Sequence, residues 1–193
     1  MPAVREEVLA QVREAPRDVA AEERVTRFAE RVTDHRARVE RVTHADLPAA
    51  VARALEVRGA QRVVVPPDLP IEWRPSGPQM LVDGELADEV LDAADGVLTG
   101  CALGIAETGT IVLDGGARQG RRAITLLPDY HLCVVEAQQI VGTVSEAVAA
   151  LDAAARERRP ITFVSGPSAT ADVELSRVDA VRGPRTLEVL IVS

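Results

Sequence analysis

The sequence predicts a three-layer α/β fold, in which a mostly parallel sheet is covered by helices on both sides. Short apolar, β-branched runs recur at residues 63–65, 97–99, 110–113, 132–135, 161–164 and 187–192, and runs of this kind read as strands buried on both faces. Stretches with helical apolar spacing lie between them, and strands alternating with helices build a parallel sheet. The chain has 193 residues, near the size of one domain, and 47% of them are hydrophobic, enough to fill a core.

Residues 1–36 read as an N-terminal helical extension and 37–193 as the α/β domain. The extension falls in two pieces parted at Pro16, with Val4, Val8 and Val12 on one and Val25, Phe28 and Val32 on the other. Such stripes dock on a core, the alternative being an arm for a partner. Asp46 and Pro48 open the next helix, Leu47, Val51 and Leu55 give it an apolar face, and Gly59 can stop it. Residues 66–84 are proline-rich and hold the only Trp, so they read as an irregular connection and a candidate lid. Val90, Leu91 and Ala94 suggest a short helix before Gly96. Thr143 and Glu146 have capping-box spacing at the head of a helix with Val144, Val148 and Leu151 on one face, closed by Pro160. Arg156, Arg158 and Arg159 complement its C-terminal dipole.

Composition excludes several functions. Net charge is -8 and only Phe28, Trp73, Tyr130 and Phe163 are aromatic, so the surface repels phosphate backbones and offers little to stack on bases. All 22 basic residues are Arg. Without Lys there is no Schiff-base nucleophile and no Walker A loop, and the glycine-rich stretch around Arg118 reads as a flexible loop. Cys101 and Cys133 form no CxxC motif, and His35, His44 and His131 have no metal-site spacing, so neither an iron–sulfur cluster nor a metal site is expected. No stretch has a signal peptide's or a membrane span's apolar length, which makes a cytoplasmic location the expectation. The GxGxxG and GxSxG signatures are absent as well.

Two segments place small residues and a carboxylate at strand ends. In Ile105-Ala106-Glu107-Thr108-Gly109-Thr110, Glu107 sits on a tight turn where a ligand could approach the backbone. It reads as a nucleophile, a base or a hydrogen-bond acceptor, against a turn whose carboxylate anchors nearby N–H groups. In the run from Phe163 to Glu174, Ser165, Gly166, Ser168, Thr170 and Asp172 form a hydroxyl-rich loop leading into a helical turn, a ready anion site. Ordinary capping by Ser168 or Thr170 is the alternative. His131 reads as a structural histidine or a proton donor, and Cys101 as a small buried thiol.

These segments carry a resemblance. Ile105 to Thr110 is similar to the IAETGT core of the lactate utilization (LUD) domain family, Leu127-Pro128-Asp129-Tyr130-His131 to its LLP-x-x-H segment, and Ser165 to Glu174 to its SGPS-x-TADIE segment. Val181 to Leu187 continues the match, with Arg182 where His is common, and Arg5 to Arg13 resembles the family's opening helix. The chain thus resembles the lactate utilization protein C family of LUD-domain proteins. The resemblance implies a NagB/RpiA/CoA-transferase-like fold and a non-redox role in oxidising L-lactate to pyruvate beside iron–sulfur sister subunits, with no cofactor in this chain. The alternative is a small-molecule enzyme or binding protein in which Glu107 acts on an acyl-CoA-like or phosphorylated anion. Gly109, Thr110, Ser165, Gly166, Ser168, Thr170 and Asp172 are the candidate ligand contacts. They are expected to form one cleft with Glu107.

Overall fold

Apolar runs buried at nearly every position organise the structure. The computed structural model describes residues 17–168 and 183–193. Its main sheet has six strands: β1 (Arg38–Val42), β2 (Arg62–Val65), β3 (Gln79–Val82), β4 (Gly96–Thr99), β7 (Tyr130–Glu136) and β10 (Thr186–Val192). They lie in the order β1-β10-β7-β4-β2-β3, and every neighbouring pair is parallel. On β7, Tyr130, Leu132 and Val134 point into one core while Cys133 and Val135 point into another, and β10 divides its side chains likewise. Both faces of the sheet are therefore buried, as wholly apolar strands require.

Helix α2 (Leu47–Arg58) covers one face with Leu47, Val51 and Leu55, together with Trp73. It begins beside Asp46, with Pro48 in its first turn, and ends at Gly59 with φ +64°, where the N–H caps the carbonyls of Leu55 and Glu56. The opposite face is covered by helix α1 (Arg17–Asp34), through Val25, Phe28 and Val32, by helix α3 (Asp88–Asp92), through Leu91, and by a second, smaller sheet. That sheet has the order β8-β5-β6-β9, from β5 (Leu103–Ile105), β6 (Thr110–Leu113), β8 (Ile140–Val141) and β9 (Thr162–Val164). Helices α4 (Val144–Ala150) and α5 (Asp152–Arg156) pack on its far side through Ala147, Leu151 and Ala154.

Several expectations are corrected here. The runs at 110–113 and 161–164 are strands, but they belong to the second sheet and pair antiparallel to each other. The short four-residue turn 106–109 makes β5 and β6 antiparallel, and β9 then joins the other edge of β6. Residues 66–84 are not irregular throughout, holding one 3-10 turn and a strand. Gln79–Val82 pairs with β2, and the buried carboxylate of Asp83 takes two hydrogen bonds from Arg121, at 2.9 and 3.1 Å. Val144 and Val148 are exposed, so the buried stripe of the α4–α5 segment runs through Ala147, Leu151 and Ala154 instead. Residues 1–16, with the first helical piece, lie outside the described residues.

Candidate functional site

The turn between β5 and β6 places Glu107 on the surface. Its N–H donates to the Gly142 carbonyl, and its carboxylate accepts the Val144 N–H at 3.2 Å. Val144 is the first residue of α4, so this carboxylate faces the positive end of a helix. Thr143 caps the same helix by accepting the Glu146 N–H, while the Glu146 carboxylate turns back to the Gly142 N–H at 2.7 Å.

Gly109 has φ +62°, and a Cβ there would lie 2.5 to 2.6 Å from Arg31 and from the Val32 nitrogen. Gly166 has φ +96°, and its Cβ would lie 2.7 Å from the His35 carbonyl oxygen. The last turn of α1 thus rests on both glycines. Beneath it runs a hydrogen-bonded chain: His35 Nε2 meets the Thr108 carbonyl at 2.9 Å, and the Thr110 hydroxyl meets those of Thr108 and Ser165, each at 2.7 Å. The Ser168 N–H donates to the Pro184 carbonyl at 2.8 Å. The structure therefore joins Thr110 to Ser165, sets Gly109 and Gly166 under α1, and turns Glu107 toward α4. Thr170 and Asp172 lie outside the described residues.

A second group gathers at the carboxyl ends of the parallel strands. Ligands in open α/β sheets bind there, where the strand order reverses. Here the reversal falls between β2 and β4, because the chain leaves β2 toward β3 and leaves β4 toward β7. The gap is spanned by Arg118. Its carbonyl accepts the Gly100 N–H at 2.7 Å beyond the end of β4, and its own N–H donates to Asp68 Oδ2 at 2.7 Å beyond the end of β2. Arg118 has φ +64°, unfavourable for a side chain with a Cβ, and these two bonds hold it there. Its guanidinium lies over Trp73, 5.3 Å from the ring centroid.

Central strand β7 ends in Glu136, which is buried. Its N–H donates to Gln139 Oε1 at 2.9 Å, and Gln139 Nε2 donates to the Cys101 carbonyl at 2.9 Å, which ties β7 to the loop after β4. The carboxylate faces His44 Nε2 at 3.4 Å and Arg118 Nη1 at 3.8 Å. The strand-end rim thus brings a buried carboxylate together with an arginine and an exposed histidine. The sequence reading missed this group. The available signal was an acidic residue closing a long apolar strand, a position that in this fold points to the ligand edge.

Below the rim, His131 and Thr99 share a hydrogen bond at 2.8 Å, both wholly buried, and His131 Nδ1 has no hydrogen-bond partner among the described residues. Cys133 lies beside Thr99 in the next strand, with its thiol 3.7 Å from the Gly100 carbonyl. The bond to Cys133 and burial push the Cys101 thiol well above its ordinary pKa, so Cys101 is a protonated donor. Both cysteines are buried. Among the described residues no group of three or more His, Cys, Asp or Glu is placed to hold a metal ion, and no helix is long and apolar enough to cross a membrane.

Comparison with known proteins gives a consistent picture. The family model described as LUD domain matches residues 25–192. Lactate utilization protein C of Deinococcus radiodurans is 49% identical over 178 residues, covering 92% of this chain and 83% of that protein. A protein of the same name from Halalkalibacterium halodurans is 38% identical over 106 residues, 53% of this chain and 46% of that one. The crystal structure of a DUF162 family protein from Deinococcus radiodurans matches with a TM-score of 0.79 at 45% identity, over 90% of this chain and 98% of that one.

Proposed function

The chain belongs to the LUD domain family, and from that membership we propose that it is a non-redox component of an L-lactate utilization system, acting in the cytoplasm beside iron–sulfur partner subunits. One observation carries the reading: near end-to-end similarity, at 49% identity, to a protein named lactate utilization protein C. Two features of the chain support a part without electron transfer. Its cysteines are buried and lie in no cluster motif, and its parallel sheet carries a carboxylate–arginine rim suited to binding. Affinity purification of the tagged chain from lactate-grown cells tests the partner claim. The iron–sulfur subunits of the lactate system should be enriched with it, and their absence after mild crosslinking would count against the proposal.

A second reading, a small-molecule site using Glu107 with Gly109, Thr110, Ser165, Gly166, Ser168, Thr170 and Asp172, is favoured by the Thr110–Ser165 hydroxyl contact, which joins the two segments. Glu107→Gln separates its two possible roles. Loss of turnover of an acyl-CoA thioester or a phosphorylated acid, with stability kept, would support chemistry there. Loss of helix stability alone would leave Glu107 as a support for the head of α4, beside its cap Thr143.

A further inference from the structure

We infer that the cleft beside the rim binds an organic oxyanion, a carboxylate or phosphate head on an apolar body, with Arg118 as the recognition residue. The cleft has a volume of about 430 Å³, within the range of sites for organic metabolites. Its lining combines apolar Leu103, Val141 and Leu151 with the cations Arg118 and Arg159 and one carboxylate, Asp114. The two arginines are not equivalent. Arg159 is already neutralised, by Asp114 Oδ2 at 2.8 Å and Glu157 Oε2 at 2.9 Å. Arg118 has Glu136 at 3.8 Å, beyond hydrogen-bond reach, so its fork of donors is not saturated by that carboxylate.

Its placement is prepared in advance. The backbone is fixed in the left-handed region by Gly100 and Asp68, and the flat face of the guanidinium is occupied by Trp73. The N–H edge is what remains for a ligand, and that edge pairs two-pronged with carboxylate or phosphate oxygens. A strained residue held by its surroundings at the strand-order reversal of a parallel sheet is where this fold places ligands. The inference concerns only this cleft and stands independently of the lactate reading.

Trp73 is the only tryptophan, so its fluorescence reports on Arg118 directly. The experiment titrates acetate, hexanoate, inorganic phosphate and hexyl phosphate at constant ionic strength against a chloride control, with calorimetry in parallel. Saturable changes are expected, with the six-carbon probes binding about tenfold tighter than their short counterparts because of the apolar lining. The stronger of the two heads identifies the ligand class. Arg118→Gln should weaken binding by about tenfold or more, while Arg53→Gln, in a surface pair with Glu40, should not change it. If Arg118→Gln does not fold, Gln138→Glu, an exposed change that adds a negative charge at the cleft, should weaken every probe several-fold. No saturable response to any probe, or binding insensitive to both cleft substitutions, overturns the inference.

Discussion

Replacing Gly109 by Ala tests whether the turn is shaped by α1. Gly109 and Gly59 have nearly the same backbone, φ +62° and +64°, so an added methyl costs both about the same in conformation, roughly 1 kcal/mol. Their surroundings differ. Nothing lies within 4 Å of a Cβ at Gly59, whereas at Gly109 the Arg31 carbonyl carbon and the Val32 nitrogen would lie 2.5 and 2.6 Å away. Those atoms are helix backbone and cannot rotate aside, so α1 must shift and loosen the packing of its Phe28 and Val32 in the core, at about 1–3 kcal/mol more for overpacking. Gly109→Ala should therefore cost about 2–4 kcal/mol in all, and Gly59→Ala about 1 kcal/mol. At roughly 2–4 °C per kcal/mol for a chain of this size, Tm falls by about 4–16 °C for the first and about 2–4 °C for the second. Urea denaturation and thermal melts of both variants measure the difference. Equal losses would refute the claim that α1 rests on this glycine.

The other predictions concern a phenol, an ion pair and a helix head. Tyr130 is the only tyrosine, and burial, then the charge of Glu188 and the bond to it, raises its pKa. Below pH about 10 both states keep the phenol proton; above it only the unfolded chain releases it, so stability should fall by about 1.4 kcal/mol per pH unit between the unfolded and the folded pKa. Absorbance at 295 nm should show no native phenolate until alkaline unfolding, and Tyr130→Phe should lack that part of the alkaline loss. A native phenolate titrating near pH 10 contradicts this. Arg121→Gln leaves buried Asp83 without its two-pronged partner and should cost about 1.5–3 kcal/mol, with faster proteolysis within 66–84; unchanged cleavage would show that the pair does not pin that segment. Glu107→Ala removes an exposed carboxylate from the head of α4 and should cost about 0.3–1 kcal/mol by urea denaturation. No measurable cost would show that Glu107 does not support α4.

What the sequence made legible was whatever local pattern decides. Val63, Val64 and Val65 stand in a fully buried strand because a β-branched run has no polar face to expose. Asp46, Pro48 and Gly59 bound α2 as read. The edge strands were less legible. Strand β1 carries Arg38, Glu40 and Arg41 on a half-exposed edge, which hides its pairing with β10, and β3 follows a run of prolines. The division into two sheets was hidden too, because apolar runs do not announce their partners. At the candidate site, the hydroxyl contact between Thr110 and Ser165 joins two segments that the sequence set apart, and the space left by Gly109 and Gly166 is taken by α1. Glu136, Arg118 and His44 could not be read together, because they meet only through the order of strands.

The central claim is tested most directly by growth on L-lactate as sole carbon source, in a strain with no other lactate dehydrogenase and with this gene deleted. The account predicts a growth defect on L-lactate, restored by the gene in trans, and normal growth on pyruvate. Unimpaired growth of the deletion strain on L-lactate would contradict it.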